Sequence, residues 1–118
     1  MSHPFAYAEL HSTAPAATVD FYRHLFDWKT STMETPMGPY TELETGEGMA
    51  GGAMKAMGPT SHWVVYVRVD DVRAHVGRAR ELGATVLVDF AEVPGTGYFA
   101  LLADPAGATF GLFQRLAA

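Results

Sequence analysis

Residues 5–28, FAYAELHSTAPAATVDFYRHLFDW, decide the fold, because residues 62–83, HWVVYVRVDDVRAHVGRARELG, repeat their plan. In the first stretch Tyr7, Glu9 and His11 alternate with Ala6, Ala8 and Leu10, the period of a strand with one chemical face and one small apolar face. Ser12 and Thr13 then offer N-cap oxygens, with Pro15 just inside, and a helix from about Ala14 to Phe26 follows. Its expected buried stripe is Ala14, Ala17, Phe21 and Leu25. In the second stretch His62 to Val69 reads as a strand, and Asp70 and Asp71 as caps of a helix with the stripe Val72, Val76, Ala79 and Leu82. Gly83 stands where a left-handed C-terminal cap belongs. The stretches superpose without a gap, Tyr7 on Val64 and Leu25 on Leu82, an offset of 57.

Each helix is followed by three strand-like runs. After the first come Thr30 to Met33, Tyr40 to Glu44 and Met49 to Ala56, separated by the turn signals Pro36-Met37-Gly38-Pro39 and Gly46-Glu47-Gly48. After the second come Thr85 to Val93, Gly97 to Ala103 and Ala108 to Gln114, separated by Pro94-Gly95-Thr96-Gly97 and Asp104-Pro105-Ala106-Gly107. Gly48 to Met54 parallels Gly107 to Phe113, with Gly52 on Gly111 at an offset of 59. The chain is therefore strand–helix–three strands, twice: an α+β protein with module one at about 5–57 and module two at about 61–116.

Composition narrows the function. At 118 residues, 48% hydrophobic and 18% charged, the chain suits one globular domain. Thirteen acids against eight Lys and Arg give a net charge of −5 without a basic stripe, which disfavours nucleic acid and anionic membrane surfaces as partners. There is no cysteine, which excludes disulfides, thiolate nucleophiles and sulfur-ligated metals. The start, Met1-Ser2-His3-Pro4-Phe5, lacks a signal-peptide pattern, and no apolar run approaches the ~20 residues that span a bilayer, so a cytoplasmic protein is expected.

The doubled unit resembles the vicinal oxygen chelate superfamily of glyoxalase I, bleomycin-resistance proteins and extradiol dioxygenases. Phe21-Tyr22-Arg23-His24-Leu25-Phe26-Asp27-Trp28 resembles that family's FY…LFGW helix end, with Asp27 where glycine is usual. Trp63, Tyr66, Val69 and Asp70-Asp71-Val72 resemble its second-module entry, and residues 104–113, DPAGATFGLF, its closing motif. The closest likeness is to small glyoxalase-like proteins of bacteria. The resemblance implies two modules curling into an open barrel around a central cleft, a small-molecule ligand and a homodimer. It also implies four metal-ligand positions, one on the first and one on the last strand of each module. Here these hold Tyr7, Gly52, Val64 and Gly111, and glycine and valine cannot coordinate a cation. The expectation is a chain without the family metal and with no other cofactor. The alternative is a metal-dependent lyase, isomerase or dioxygenase of the same superfamily.

The side chains left to carry chemistry lie on the first strands. Glu9 beside His11 makes a candidate acid–base pair, since a carboxylate orients an imidazole and tunes it. Tyr7, His62, Tyr66 and Arg68 alternate onto the same kind of face, and Tyr40 and Phe99 (with Tyr98) are candidate aromatic walls of an apolar pocket. The competing expectation is a structural ion pair of Glu9 with Arg68. Met33, Met37, Met49, Met54 and Met57 concentrate in the first half, where thioethers adapt to irregular shapes.

Overall fold

The computed structural model describes residues 2–48 and 50–116. Both helices and all eight expected strands are present: β1 (Phe5–Ser12), α1 (Pro15–Phe26), β2 (Lys29–Thr35), β3 (Gly38–Glu44), β4 (Ala50–Lys55), β5 (His62–Arg68), α2 (Val72–Glu81), β6 (Thr85–Val93), β7 (Gly97–Ala103) and β8 (Thr109–Arg115). Met49, expected at the head of the fourth strand, lies outside the described residues. The chain divides into two compact units, residues 7–64 and residues 2–6 with 65–116. They are called module one and module two below.

In module one the strand order is β2-β3-β4-β1. β2, β3 and β4 run antiparallel, and β4 returns parallel to β1 with Glu9 opposite Gly52 and His11 opposite Met54. Helix α1 covers one face, and Val19 of the helix packs with Leu10, Leu43 and Ala53 of three strands, flanked by Tyr22 and Trp28. Val19, Leu10 and Leu43 each contribute about 1.5–3 kcal/mol. The opposite face carries Tyr7, Glu9 and His11, because side chains alternate along a strand.

The buried stripe of α1 is not the expected one. Val19 is its buried residue, whereas Phe21, Leu25 and Phe26 are each more than half exposed. Pro15, Val19 and Tyr22 follow the same helical spacing as the expected stripe, rotated round the axis. An aromatic- and leucine-rich helix offers two apolar faces, and periodicity alone does not say which one meets the sheet. The expected caps also shift. Ala14 occupies the N-cap without a side-chain bond, and Ser12 Oγ accepts from the Ala14 N–H at 3.0 Å. At the far end Asp27 adopts a left-handed conformation, φ 57°, with its N–H on the Arg23 carbonyl. That geometry is why glycine is usual at this point of the motif.

Module two is built to the same plan from residues 65–68 of β5 onward, in the order β5-β8-β7-β6, with β5 parallel to β8 and Tyr66 opposite Gly111. Helix α2 starts as expected at Asp71, whose carboxylate accepts from the Ala74 N–H at 3.1 Å, and Gly83 has φ 98°. Val72 and Val76 sit in a core with Val69, Ala100, Leu102 and Leu112. Leu82, expected in the stripe, is 62% exposed because the helix ends at Glu81. No helix among the described residues is long and apolar enough to cross a membrane.

Candidate functional site

The helix-free face of module one concentrates the chemistry. Glu9 and His11 are two residues apart on β1, hence on one side of the sheet, and both are buried, at 4% and 1% exposure. The His11 Nε2–H donates to Glu9 Oε1 at 2.7 Å, and the Tyr40 hydroxyl, reaching across from β3, donates to Glu9 Oε2 at 2.8 Å. The carboxylate that the sequence offers to Arg68 is thus occupied on both oxygens within module one. On the other side of His11 the His62 ring lies 5.3 Å away, centroid to centroid, with its Nδ1–H on the Thr60 carbonyl at 3.3 Å.

A missing side chain makes this network possible. Gly52 lies between Glu9 and β3, and the space its Cβ would fill is taken by the Tyr40 hydroxyl and Cζ. Any other residue at 52 would push the phenol off the carboxylate. Module two repeats the device: the space beside Gly111 holds the Tyr66 ring, at Cγ, Cδ2 and Cε2.

Electrostatics keep both phenols of module one protonated. Burial pushes the Tyr40 hydroxyl far above the ordinary tyrosine range, and the charge of Glu9, the hydrogen bond to it, and the nearby Tyr7 and Glu42 add to the effect. Burial likewise pushes Tyr7 up, reinforced by Glu9. A neutral phenol is a donor, whereas the phenolate would be needed to ligate a cation.

The remaining sequence-selected residues belong to module two. Tyr66 is buried and meets Phe99 edge-on at 6.3 Å. Tyr98 does not share this surface. It packs with the helix-side core and stacks on Phe90 at 5.0 Å, since neighbours on a strand face opposite ways. Arg68 borders an open hollow with Val69, Asp70, Gln114 and Arg115, its backbone N–H on the Pro4 carbonyl. Sequence reasoning marked Tyr40 as a wall and missed that it donates to Glu9. It also passed over Glu42, although Tyr40, Glu42 and Glu44 alternate along β3.

A doubled βαβββ plan with these closing motifs defines the glyoxalase/bleomycin resistance/dioxygenase class of folds. A superfamily member from Vibrio splendidus 12B01 shares it at a TM-score of 0.66 and 15% identity, over 98% of this chain and 100% of that one. The chain belongs to the glyoxalase-like domain family, whose model matches residues 8–113. It is 35% identical to CFP32 of Mycobacterium tuberculosis, a proposed glyoxylase, over 90% of this chain and 42% of that protein. It is 31% identical to the anthracycline biosynthesis protein DnrV of Streptomyces peucetius, over 93% of this chain and 46% of that protein. The chain thus spans less than half the length of the curated relatives it matches.

Proposed function

We propose that this protein binds a small, partly apolar organic molecule on the helix-free face of module one, without the metal its superfamily resemblance implies. One observation carries the reading. The spaces beside Gly52 and Gly111 are filled by the rings of Tyr40 and Tyr66, not left as a cradle for a cation. At the other two positions Val64 is fully buried and apolar, and Tyr7 is held protonated. The four residues do not fit a divalent cation, which needs converging N and O donors.

What replaces the metal is a hydrogen-bonded polar end, His11–Glu9–Tyr40, beside Tyr7, His62 and the thioethers of Met33 and Met54. Apolar walls with a few fixed polar groups are the ordinary make-up of a small-molecule site. The 2.7 Å contact between His11 and Glu9 also supports a second reading, acid–base turnover of the bound molecule, with Glu9 orienting the imidazole. The proposal includes pairing with a second copy of the chain, supported by the exposed Phe21, Leu25 and Phe26 of α1.

The test is a ligand screen by thermal shift on protein dialysed against a chelator. Stabilisation by small, partly apolar compounds, unchanged by the chelator and weakened in Tyr40→Phe, is expected. Stabilisation that appears only after a divalent cation is added would overturn the proposal.

A further inference from the structure

The register of module one sets out its helix-free face row by row, because residues paired across strands point to the same side of the sheet. One row runs Ser31, Glu42, Gly52, Glu9, from β2 to β1. Met33 pairs with Tyr40 in the next row, which His11 and Met54 share on the inner strands. Glycine therefore stands between two carboxylates, the buried Glu9 and the exposed Glu42, with the Tyr40 phenol lying over the gap. Both carboxylates act on that phenol, so both are near it.

Of the three Lys and Arg of module one, Lys29 shares this face and none pairs with Glu42. Residues 7–64 hold seven acids against three Lys and Arg, so most of the chain's negative charge resides there. Arg23 pairs with Asp20 along α1 at 3.1 Å. The Lys55 ammonium donates to the Thr13 carbonyl at 2.7 Å, and Lys29 stands opposite Glu44 at the end of the β2–β3 pair. Among the described residues Glu42 has no ion pair. A carboxylate-, sulfonate- or phosphate-bearing ligand would meet three acids on this face, Glu9, Glu42 and Glu44, against Lys29. A cationic one would meet Glu42 at its edge, the Tyr40 ring and Met33 along its body, and the buried polar end beneath.

We propose that the ligand of this site is an organic amine with a flat apolar body, and that Glu42 is the specificity-determining residue that pairs with its ammonium group. This rests on the binding reading above and deepens it. The Met33 and Met54 thioethers and the Tyr40 ring take up the apolar body, since thioethers adapt to irregular aromatic outlines. Tyr40 supplies a ring face to the cation as well as a wall. Glu42 fixes the sign of charge that is accepted.

The experiment measures calorimetric affinity for three probes with one skeleton: 1-naphthylmethylamine, 1-naphthylmethanol and 1-naphthylacetate. Each is titrated into wild-type protein and into Glu42→Gln, whose exposed side chain leaves the fold unburdened. The amine is expected to bind about tenfold more tightly than the acetate at low salt, a preference that shrinks as salt is raised. Glu42→Gln is expected to cost the amine about fivefold and to leave the alcohol within about twofold. Binding of the alcohol with no advantage for the amine, or an amine affinity untouched by Glu42→Gln, overturns the amine assignment and leaves the binding reading standing. Failure of all three probes to bind overturns both.

Discussion

Gly52 and Gly111 are legible in the sequence as empty positions, but not as filled spaces. An internal repeat shows that two sites lack side chains. Only the strand register shows that Tyr40 from β3 and Tyr66 from β5 occupy the volume. The two substitutions to alanine should therefore differ. At 52 the added methyl meets the outer end of a half-buried phenol, which swings away at the loss of its bond to Glu9. At 111 it meets the near edge of a fully buried ring that has nowhere to go. Overpacking of this kind costs about 1–3 kcal/mol, and urea denaturation should place Gly111→Ala at the upper end and Gly52→Ala at the lower. Equal costs, or a larger one at 52, would argue against the sealed arrangement.

The phenols give a second prediction. An acid whose pKa is raised by folding contributes its stability in full below the unfolded value, 10.0 for tyrosine, and loses it as pH rises further and the unfolded chain ionises first. Tyr7 and Tyr40 should each make stability fall by about 1.4 kcal/mol per pH unit above pH 10. Urea midpoints of Tyr40→Phe against wild type should show the slope reduced by one such increment. Parallel slopes would mean that the Tyr40 hydroxyl is not buried in solution.

The helices show where sequence reasoning reaches and where it stops. α2 was legible in detail, since Asp71, Val72, Val76 and Gly83 carry local signals whose mechanism does not depend on distant contacts. α1 was legible in extent but not in facing. Its apolar positions outnumber what one sheet face takes up, so Phe21, Leu25 and Phe26 remain outside. Tyr98 was misplaced for a simpler reason, that it was grouped with its neighbour Phe99 against the alternation of β7. The exposed stripe yields a prediction about assembly. Light scattering at micromolar concentration should give twice the chain mass, and the pair Phe21→Ser with Leu25→Ser should give the single mass while leaving the monomer's unfolding midpoint within a few degrees. A single mass for the wild type would contradict the paired assembly.

The architecture of each module was fixed at the start by one regularity, the repeat at an offset of 57, because a doubled supersecondary unit constrains every element within it. The candidate site was legible as a list of residues on β1 and only partly as a constellation. Glu9 and His11 meet because they are close in sequence. Tyr40 reaches them over two intervening pairings, which no local pattern announces. The superfamily's metal positions were read from short motifs, and at them this chain carries Tyr7, Gly52, Val64 and Gly111. Elemental analysis after incubation with Zn²⁺, Ni²⁺, Mn²⁺ and Fe²⁺ and removal of free ion tests that point most directly, using protein purified without an affinity tag. The account predicts far less than one equivalent of any of them. About one ion per chain, reduced in Tyr7→Phe, would contradict it.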